Sequence, residues 1–216
     1  MSEQAFEDGR RASILRAAEE VFADNSYEGA SIRTIASVAD VNPALIGYYF
    51  GNKSELYAKI IEGRYRDITA ERLARLDAVP REARGHDAAA AILDAWFGPF
   101  FRRLNSPEDA NFARMLAREA NSPRDRARSV FSSFLDPSAH QCMDRLAAAF
   151  PEAHAQDIAW GYQFCIAVMM SSVTGAERVS NLAPDAARRD PSFDLLQAMI
   201  TFASTGMAAL AAQRGG

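Results

Sequence analysis

Apolar residues recur in this chain at intervals of three and four, and no stretch alternates β-branched with polar side chains over the length of a strand. A chain can bury only the face its periodicity builds, so this pattern restricts the fold to packed helices. Alanine, the strongest helix former, is the commonest side chain and runs through the same segments. The reading is all-α.

Proline and clusters of turn residues punctuate the helices. The breaks are Pro80 to Gly85, Asn105-Ser106-Pro107, Asn121-Ser122-Pro123, Asp136-Pro137, Pro151 and Leu182 to Pro191. Each is expected to end a helix, because proline removes a donor and restricts the residue before it. A first helix is predicted from about Arg10 to Asp24, burying Ile14, Leu15, Ala18, Val21 and Phe22. Two short helices follow, capped by Ser31 and by Asn42 with Pro43 at its first position, and then a longer one through Leu73. Beyond it, helices are predicted at roughly 87–104, 107–120, 124–135, 138–149, 154–179 and 192–213.

Composition removes several classes of function. With 216 residues, 49% of them apolar, and a formal net charge of −4, the chain has the means to build a core and is not disordered by charge. Cys142 and Cys165 are too few to staple a secreted scaffold, and the N-terminal Met1 to Asp8 is polar and acidic, unlike a signal peptide. A cytoplasmic protein with reduced thiols is expected. Ile158 to Ala176 is uncharged and long enough to be weighed as a membrane span. Its Tyr162, Gln163, Ser171, Ser172, Thr174 and two glycines favour a buried core helix, so no membrane partner is expected.

No catalytic constellation stands out. His86, His140 and His154 lie in separate segments, and the chain has no paired-histidine zinc motif, Cys-x-x-Cys, nucleophile elbow or phosphate-binding glycine loop. His140-x-Cys142 is a weak metal seed, and the two cysteines a conceivable redox pair. Neither an enzyme, a cofactor nor a metal is expected. A helical enzyme and a helical adaptor without DNA contact are the rival classes.

Function concentrates in residues 31–53, two short helices joined by a turn of three or four residues, which is helix-turn-helix spacing. Ile35, Ala36, Val41, Leu45 and Ile46 can pack the pair together, leaving the outer face of the second helix free for a DNA groove. Asn42, Ala44, Gly47, Tyr48 and Tyr49 are its expected exposed positions, with Arg33 and Lys53 flanking as phosphate contacts. Residues 1–66 carry eight Lys and Arg against ten Asp and Glu, so binding must rest on local placement and give a shallow salt dependence.

Ile14-Leu15-x-Ala17-Ala18-x-x-x-Phe22-Ala23, Tyr27, Ser31-Ile32-Arg33-x-Ile35-Ala36, Ala39, Val41 and Tyr48-x-Phe50-x-x-Lys53-x-x-Leu56 resemble the TetR family of bacterial repressors. The resemblance covers about residues 10–60, with order, spacing and chemistry in agreement. It implies that the second short helix enters the major groove, that Ser31, Tyr48, Tyr49 and Lys53 touch phosphates, and that Asn42, Ala44 and Leu45 sit where bases are read. Lys53→Ala is then expected to weaken all DNA about equally, and Asn42→Ala to change sequence preference. Three residues depart from the family pattern: Ser26 and Asp40 stand at usual glycines, and Gly47 at a usual Tyr or Asn. Asn25 and Asp40 tolerate left-handed backbone, so the turns are expected to survive.

The division expected is a DNA-binding domain over 1–54 and an effector-binding and dimerisation domain over 55–216. Trp96, Phe100, Phe112, Met115, Phe131, Phe134, Trp160 and Phe164 are core or the lining of a pocket between helices, with Arg118 as a cationic partner or a structural ion pair. The family resemblance implies a ligand in that half, and weaker similarity of Leu116-Ala117-Arg118-Glu119, Trp160-x-x-x-Phe164 and Phe202-Ala203 to fatty-acid-responsive members implies a hydrophobic, acyl-like effector. Ala167, Ser171 and Gly175, with Ala203, Gly206 and Leu210 on the last helix, form small-residue faces suited either to packing within the chain or to a homodimer. A dimer would read a palindromic operator.

Overall fold

Side-chain caps set where the short helices begin. The computed structural model describes residues 3–103, 107–120, 126–183 and 194–212. Ser31 Oγ accepts from the Thr34 amide at 3.1 Å and starts α2 (Ile32–Val38). Asn42 Oδ1 accepts from the Ala44 amide at 2.9 Å and starts α3 (Pro43–Phe50). Asn52 Oδ1 receives the Ser54 and Glu55 amides while Glu55 accepts from the Asn52 amide, a reciprocal box that opens α4 (Lys53–Ala78). Gly51 ends α3 at φ 74, where a Cβ would also collide with the Glu55 carboxylate.

Around these lie α1 (Glu3–Gly29), α5 (Gly85–Arg103), α6 (Pro107–Ala120), α7 (Arg126–Ala149), α8 (Ala155–Thr174), α9 (Ala176–Leu182) and α10 (Leu195–Ala212), with no strand among the described residues. One expected break does not occur: Pro137 lies inside α7, which joins the helices expected over 124–135 and 138–149, whereas Pro99 lies inside α5 within the helix expected over 87–104. Each proline removes one intrahelical bond and crowds the carbonyl four residues earlier, a cost of about 3 kcal/mol set against the remaining bonds of helices 24 and 19 residues long. The helix expected over 154–179 is instead divided at Gly175, a half-turn that closes α8 and opens α9. α1 runs beyond Asp24 to Gly29 through a kink at Ser26, whose φ of 60 and ψ of 172 lie outside helical space. Among the described non-glycine residues the positive φ values fall on Ser26 and Asp40 (φ 52), and Asn25 is not one of them. Instead, the Asn25 side-chain Nδ2 donates to Val21 O at 3.0 Å.

The chain forms two compact units, Met1–Arg66 with Leu104–Asp136, and Asp67–Arg103 with Pro137–Gly216. In the first, Ile14, Ala18, Val21 and Phe22 of α1 are buried, as are Ile35, Ala36, Ile46, Leu56 and Ile61. Phe22, Tyr27 and Tyr57 meet edge to face at 5.0 and 5.1 Å, and α6 packs along α1. Arg64 forks onto buried Glu19 at 2.6 and 2.8 Å and reaches Asp109 at 3.3 Å, tying α4 to α1 and α6.

In the second unit α5 packs against α10, and α10 against α8. Its core holds Ile92, Leu93, Trp96, Phe97 and Phe100 of α5 with Ile158, Cys165, Met199, Ile200 and Met207. α8 and α10 approach closely at Gly161, where a Cβ would stand 2.0 Å from Met207 Sδ. Two arginines are buried in structural bonds. Arg72 donates to Trp96 O at 2.6 Å and lies over the Trp96 ring, while Arg145 donates to Leu76 O, Val79 O and Pro80 O, closing the C-terminal end of α4.

Candidate nucleic-acid interface

The turn between α2 and α3 is made by Asp40 in left-handed backbone and by the Val41 amide reaching back to Ala36 O at 2.9 Å. Behind α3, Ile46 is fully buried. Asn42 at the cap, Ala44, and Gly47 and Tyr48 three and four residues beyond Ala44 are exposed together on the opposite side. Tyr48 is 79% exposed. Leu45 and Tyr49 flank this face half-buried, so Leu45 is shared between the packed side and the open one.

No residue of α3 is ionisable at neutral pH, and its open face offers one carboxamide, one phenol, a methyl group and the empty space beside Gly47. Such a surface can approach base edges by hydrogen bonding and by apolar contact with thymine methyls. Cationic contacts must come from the flanks. Arg33 on α2 is exposed. Arg11 of α1 places its guanidinium 5.4 Å from the Tyr49 ring, a cation at the edge of the α3 face that helical periodicity alone did not single out. Its signal is three-dimensional, since α1 and α3 meet only on folding.

Lys59, Arg64, Arg66 and Lys53 are committed elsewhere. Lys59 and Arg66 bond Glu62, and Arg64 bonds Glu19 and Asp109. Both Lys59 and Arg66 hold the Glu62 carboxyl below its ordinary range, the Lys59 hydrogen bond contributing most. Lys53, expected to face a phosphate, directs its ammonium at Tyr27 O (2.8 Å) and Ala30 O (3.0 Å). The Ser31 hydroxyl, besides capping α2, is 2.8 Å from Thr34 Oγ1.

The residues expected around an effector divide between the two units. Phe112 and Met115 are buried in the first unit and Arg118 is exposed, whereas Trp96 and Phe100 are buried in the second. Trp160 and Phe164 correct the expectation of an enclosed aromatic lining: they are 54% and 50% exposed, paired at 5.7 Å on the open side of α8. Phe131 and Phe134 fall on α7 outside the described side chains.

Ala167 and Ser171 continue the open stripe of α8, and Gly175 is half-buried at its end. On α10 Gly206 is exposed, Leu210 half-buried and Ala203 buried within the unit, so Ala203 is a core contact. The exposed apolar residues of α10 are Phe202 and Leu195 instead. α10 is also the one described helix long and apolar enough to cross a membrane, whereas the uncharged stretch weighed from sequence lies on α8 and α9.

Among the described residues, titratable groups elsewhere do not assemble a reaction centre. His86 bridges Asp87 (Nδ1 to Oδ1, 3.1 Å) and Ser204 (Nε2 to Oγ, 3.0 Å), the order of a hydrolytic relay. Ser204 is wholly buried and Asp87 exposed, the reverse of what substrate attack and a sheltered orienting carboxylate require, so the bridge serves to join α5 to α10. Burial pushes the Cys165 thiol up to about 12 and Cys142 higher still, which removes the thiolate that disulfide exchange or metal binding needs. His140 is exposed while Cys142 is buried, and no metal-holding cluster occurs among the described residues.

Two capped short helices in tandem, the second presenting an uncharged open face, define a helix-turn-helix unit. Residues 14–60 match the family described as bacterial regulatory proteins, tetR family, and residues 94–206 match the tetracyclin repressor-like C-terminal domain. The chain belongs to the TetR family of transcriptional regulators.

Among curated relatives it is 35% identical over 88 residues to the transcriptional repressor NicS of Pseudomonas putida, covering 40% of this chain and 42% of that one. It is 30% identical over 135 residues to the transcriptional dual regulator CecR of Shigella flexneri, covering 59% of each. The chain thus matches about half the length of these relatives or less than two thirds of it. Among solved structures, the fatty acid degradation regulator FadR of Bacillus halodurans superposes with a TM-score of 0.62 at 16% identity, over 95% of this chain and 96% of that one. FadR of Bacillus subtilis, in complex with stearoyl-CoA, superposes with a TM-score of 0.54 at 16% identity, over 93% and 97%. These likenesses concern the fold.

Proposed function

We propose that the protein is a ligand-responsive repressor that binds a palindromic operator as a homodimer in the cytoplasm and leaves it when a small hydrophobic effector binds. The observation that carries this reading is the open face of α3, led by the capped Asn42 and by exposed Tyr48. In this reading Asn42, Ala44 and Leu45 read base edges, Gly47 lets the backbone approach, and Ser31, Arg33, Tyr48, Tyr49 and Arg11 hold phosphates. Few cations contribute, so the salt dependence is shallow for a dimeric repressor.

Self-association is supported by the exposed apolar stripe of Trp160, Phe164 and Ala167 on α8 and by exposed Phe202 and Leu195 on α10. Two such helices from each copy make a four-helix interface, which also accounts for the hydropathy of α10 without a membrane. The effector class proposed is an acyl chain. Support comes from the aromatic and methionine-rich core of the second unit and from the fold shared with the FadR proteins, one of them described with stearoyl-CoA.

Fluorescence anisotropy on DNA from the protein's own upstream region, at two salt concentrations and with medium- and long-chain acyl compounds, tests the whole reading. Specific binding released by an acyl compound is the expected result. Binding no tighter than to competitor DNA refutes the DNA-binding reading, and specific binding that no acyl compound releases refutes the effector class.

A further inference from the structure

We propose that Lys53 is a positioning residue of the DNA-binding unit and not a phosphate contact. The role rests on the DNA-binding reading above and changes how one of its cations acts. Lys53 opens α4, yet its ammonium lies at the far end of another helix, donating to Tyr27 O at 2.8 Å and Ala30 O at 3.0 Å. Tyr27 O belongs to the last turn of α1 and Ala30 O to the residue just past it, where carbonyls have no further turn to bond and concentrate partial negative charge. The same ammonium stands 4.5 Å from the centroid of the Tyr27 ring, which is itself buried against Phe22 and Tyr57. Two carbonyls and a ring face therefore hold the charge on the inner side of the unit.

The consequence is geometric. Ala30 directly precedes Ser31, the cap of α2, and Lys53 is the third residue after α3. One ammonium thus fastens the exit of α1, the entry of α2 and the entry of α4 at a single point. The α2–α3 pair is held at both ends, and the angle at which α3 presents Asn42 and Tyr48 is set there. The clamp also lies beside Ser26, the strained kink of α1, where the chain most needs an external restraint.

The test is specific DNA affinity and its salt slope for the wild type, Lys53→Met, Lys53→Arg and Arg33→Ala, measured at a temperature well below unfolding. A phosphate contact contributes about 0.9 to the slope of log K against log salt. The expected result is that Arg33→Ala lowers the slope by about that amount per subunit, whereas Lys53→Met leaves it unchanged and lowers specific affinity about tenfold. Lys53→Arg, which can donate to both carbonyls, restores most of the affinity. A slope reduced in Lys53→Met overturns the proposal in favour of a phosphate contact, and unchanged affinity overturns it in favour of a side chain with no positioning role. If Lys53→Met does not fold, Lys53→Gln keeps a donor without the charge, and a lowered slope there is equally fatal. Should the wild type show no specific binding, the DNA-binding reading fails by itself; the clamp is then judged by unfolding, and equal melting temperatures for Lys53→Met and Lys53→Arg overturn it.

Discussion

Replacing Ser26 by glycine should make this protein more stable, against the usual cost of glycine near a helix. Ser26 sits at φ 60 and ψ 172, a region populated almost solely by glycine, where another residue costs about 1–3 kcal/mol. Glycine removes the Cβ clash but gives the unfolded chain more freedom, which offsets about 0.5–1 kcal/mol. The backbone bond from the Ala30 amide to Ser26 O, 3.1 Å, does not depend on the side chain and is retained. The net expectation is a gain of about 1 kcal/mol, which for a chain of this length raises the melting temperature by about 2–4 °C. Urea unfolding followed by circular dichroism measures it, with Ser26→Ala as the control that keeps the Cβ. At Asp40 (φ 52) a small polar residue already tolerates left-handed backbone, so Asp40→Gly should gain less. If Ser26→Gly is no more stable than Ser26→Ala, the strain argument is wrong.

Other perturbations separate roles that coincide in one residue. Asn42→Ala removes the α3 cap as well as a base-facing carboxamide, costing about 1 kcal/mol of stability, whereas Asn42→Ser keeps a capping oxygen and should alter sequence preference alone; unfolding and site-selection experiments on the pair distinguish the two effects. Phe202→Ser, at an exposed position of α10, should weaken self-association in sedimentation equilibrium while leaving the secondary structure intact, and an unchanged assembly state would argue against that face as the interface. Burial raises the Glu71 carboxyl, but the Arg75 hydrogen bond and the charges of Arg103, Arg75 and Arg102 outweigh it and hold the carboxyl below its ordinary range. The folded state therefore binds the proton more weakly than the unfolded chain, so the stabilisation is present at neutral pH and lost as pH falls through the carboxylate range. Glu71→Gln should cost less than about 1 kcal/mol at pH 7, because the group is one-third exposed, and nothing in acid; a penalty independent of pH would refute the assignment.

Much of the DNA-binding unit is legible in the sequence because its determinants are local. Ser31, Asn42 and Pro43 cap or open helices within three residues of themselves, and the apolar positions of α1 follow from its own period. What escaped is set by partners distant in the chain. Lys53 reads as an exposed cation until the end of α1, more than twenty residues earlier, is brought beside it. Trp160 and Phe164 have the spacing of core aromatics, and only the choice of which α8 face meets α10 leaves them outside. The left-handed kink follows the same rule: the residue suited to it by chemistry, Asn25, is not the one that α1 and the cap of α2 place there.

Gly47 carries a consequence for how a regulator of this kind can change over generations. It lies on the open face of α3 with nothing within 4 Å of the place a Cβ would occupy. A glycine codon is one base change from alanine, valine, arginine and an acidic residue, and each would project outward without disturbing the packed side of the helix. The position is thus a vacancy in the surface proposed to read DNA. A lineage can fill it in a single mutational step, acquiring a new operator preference while keeping the same protein scaffold.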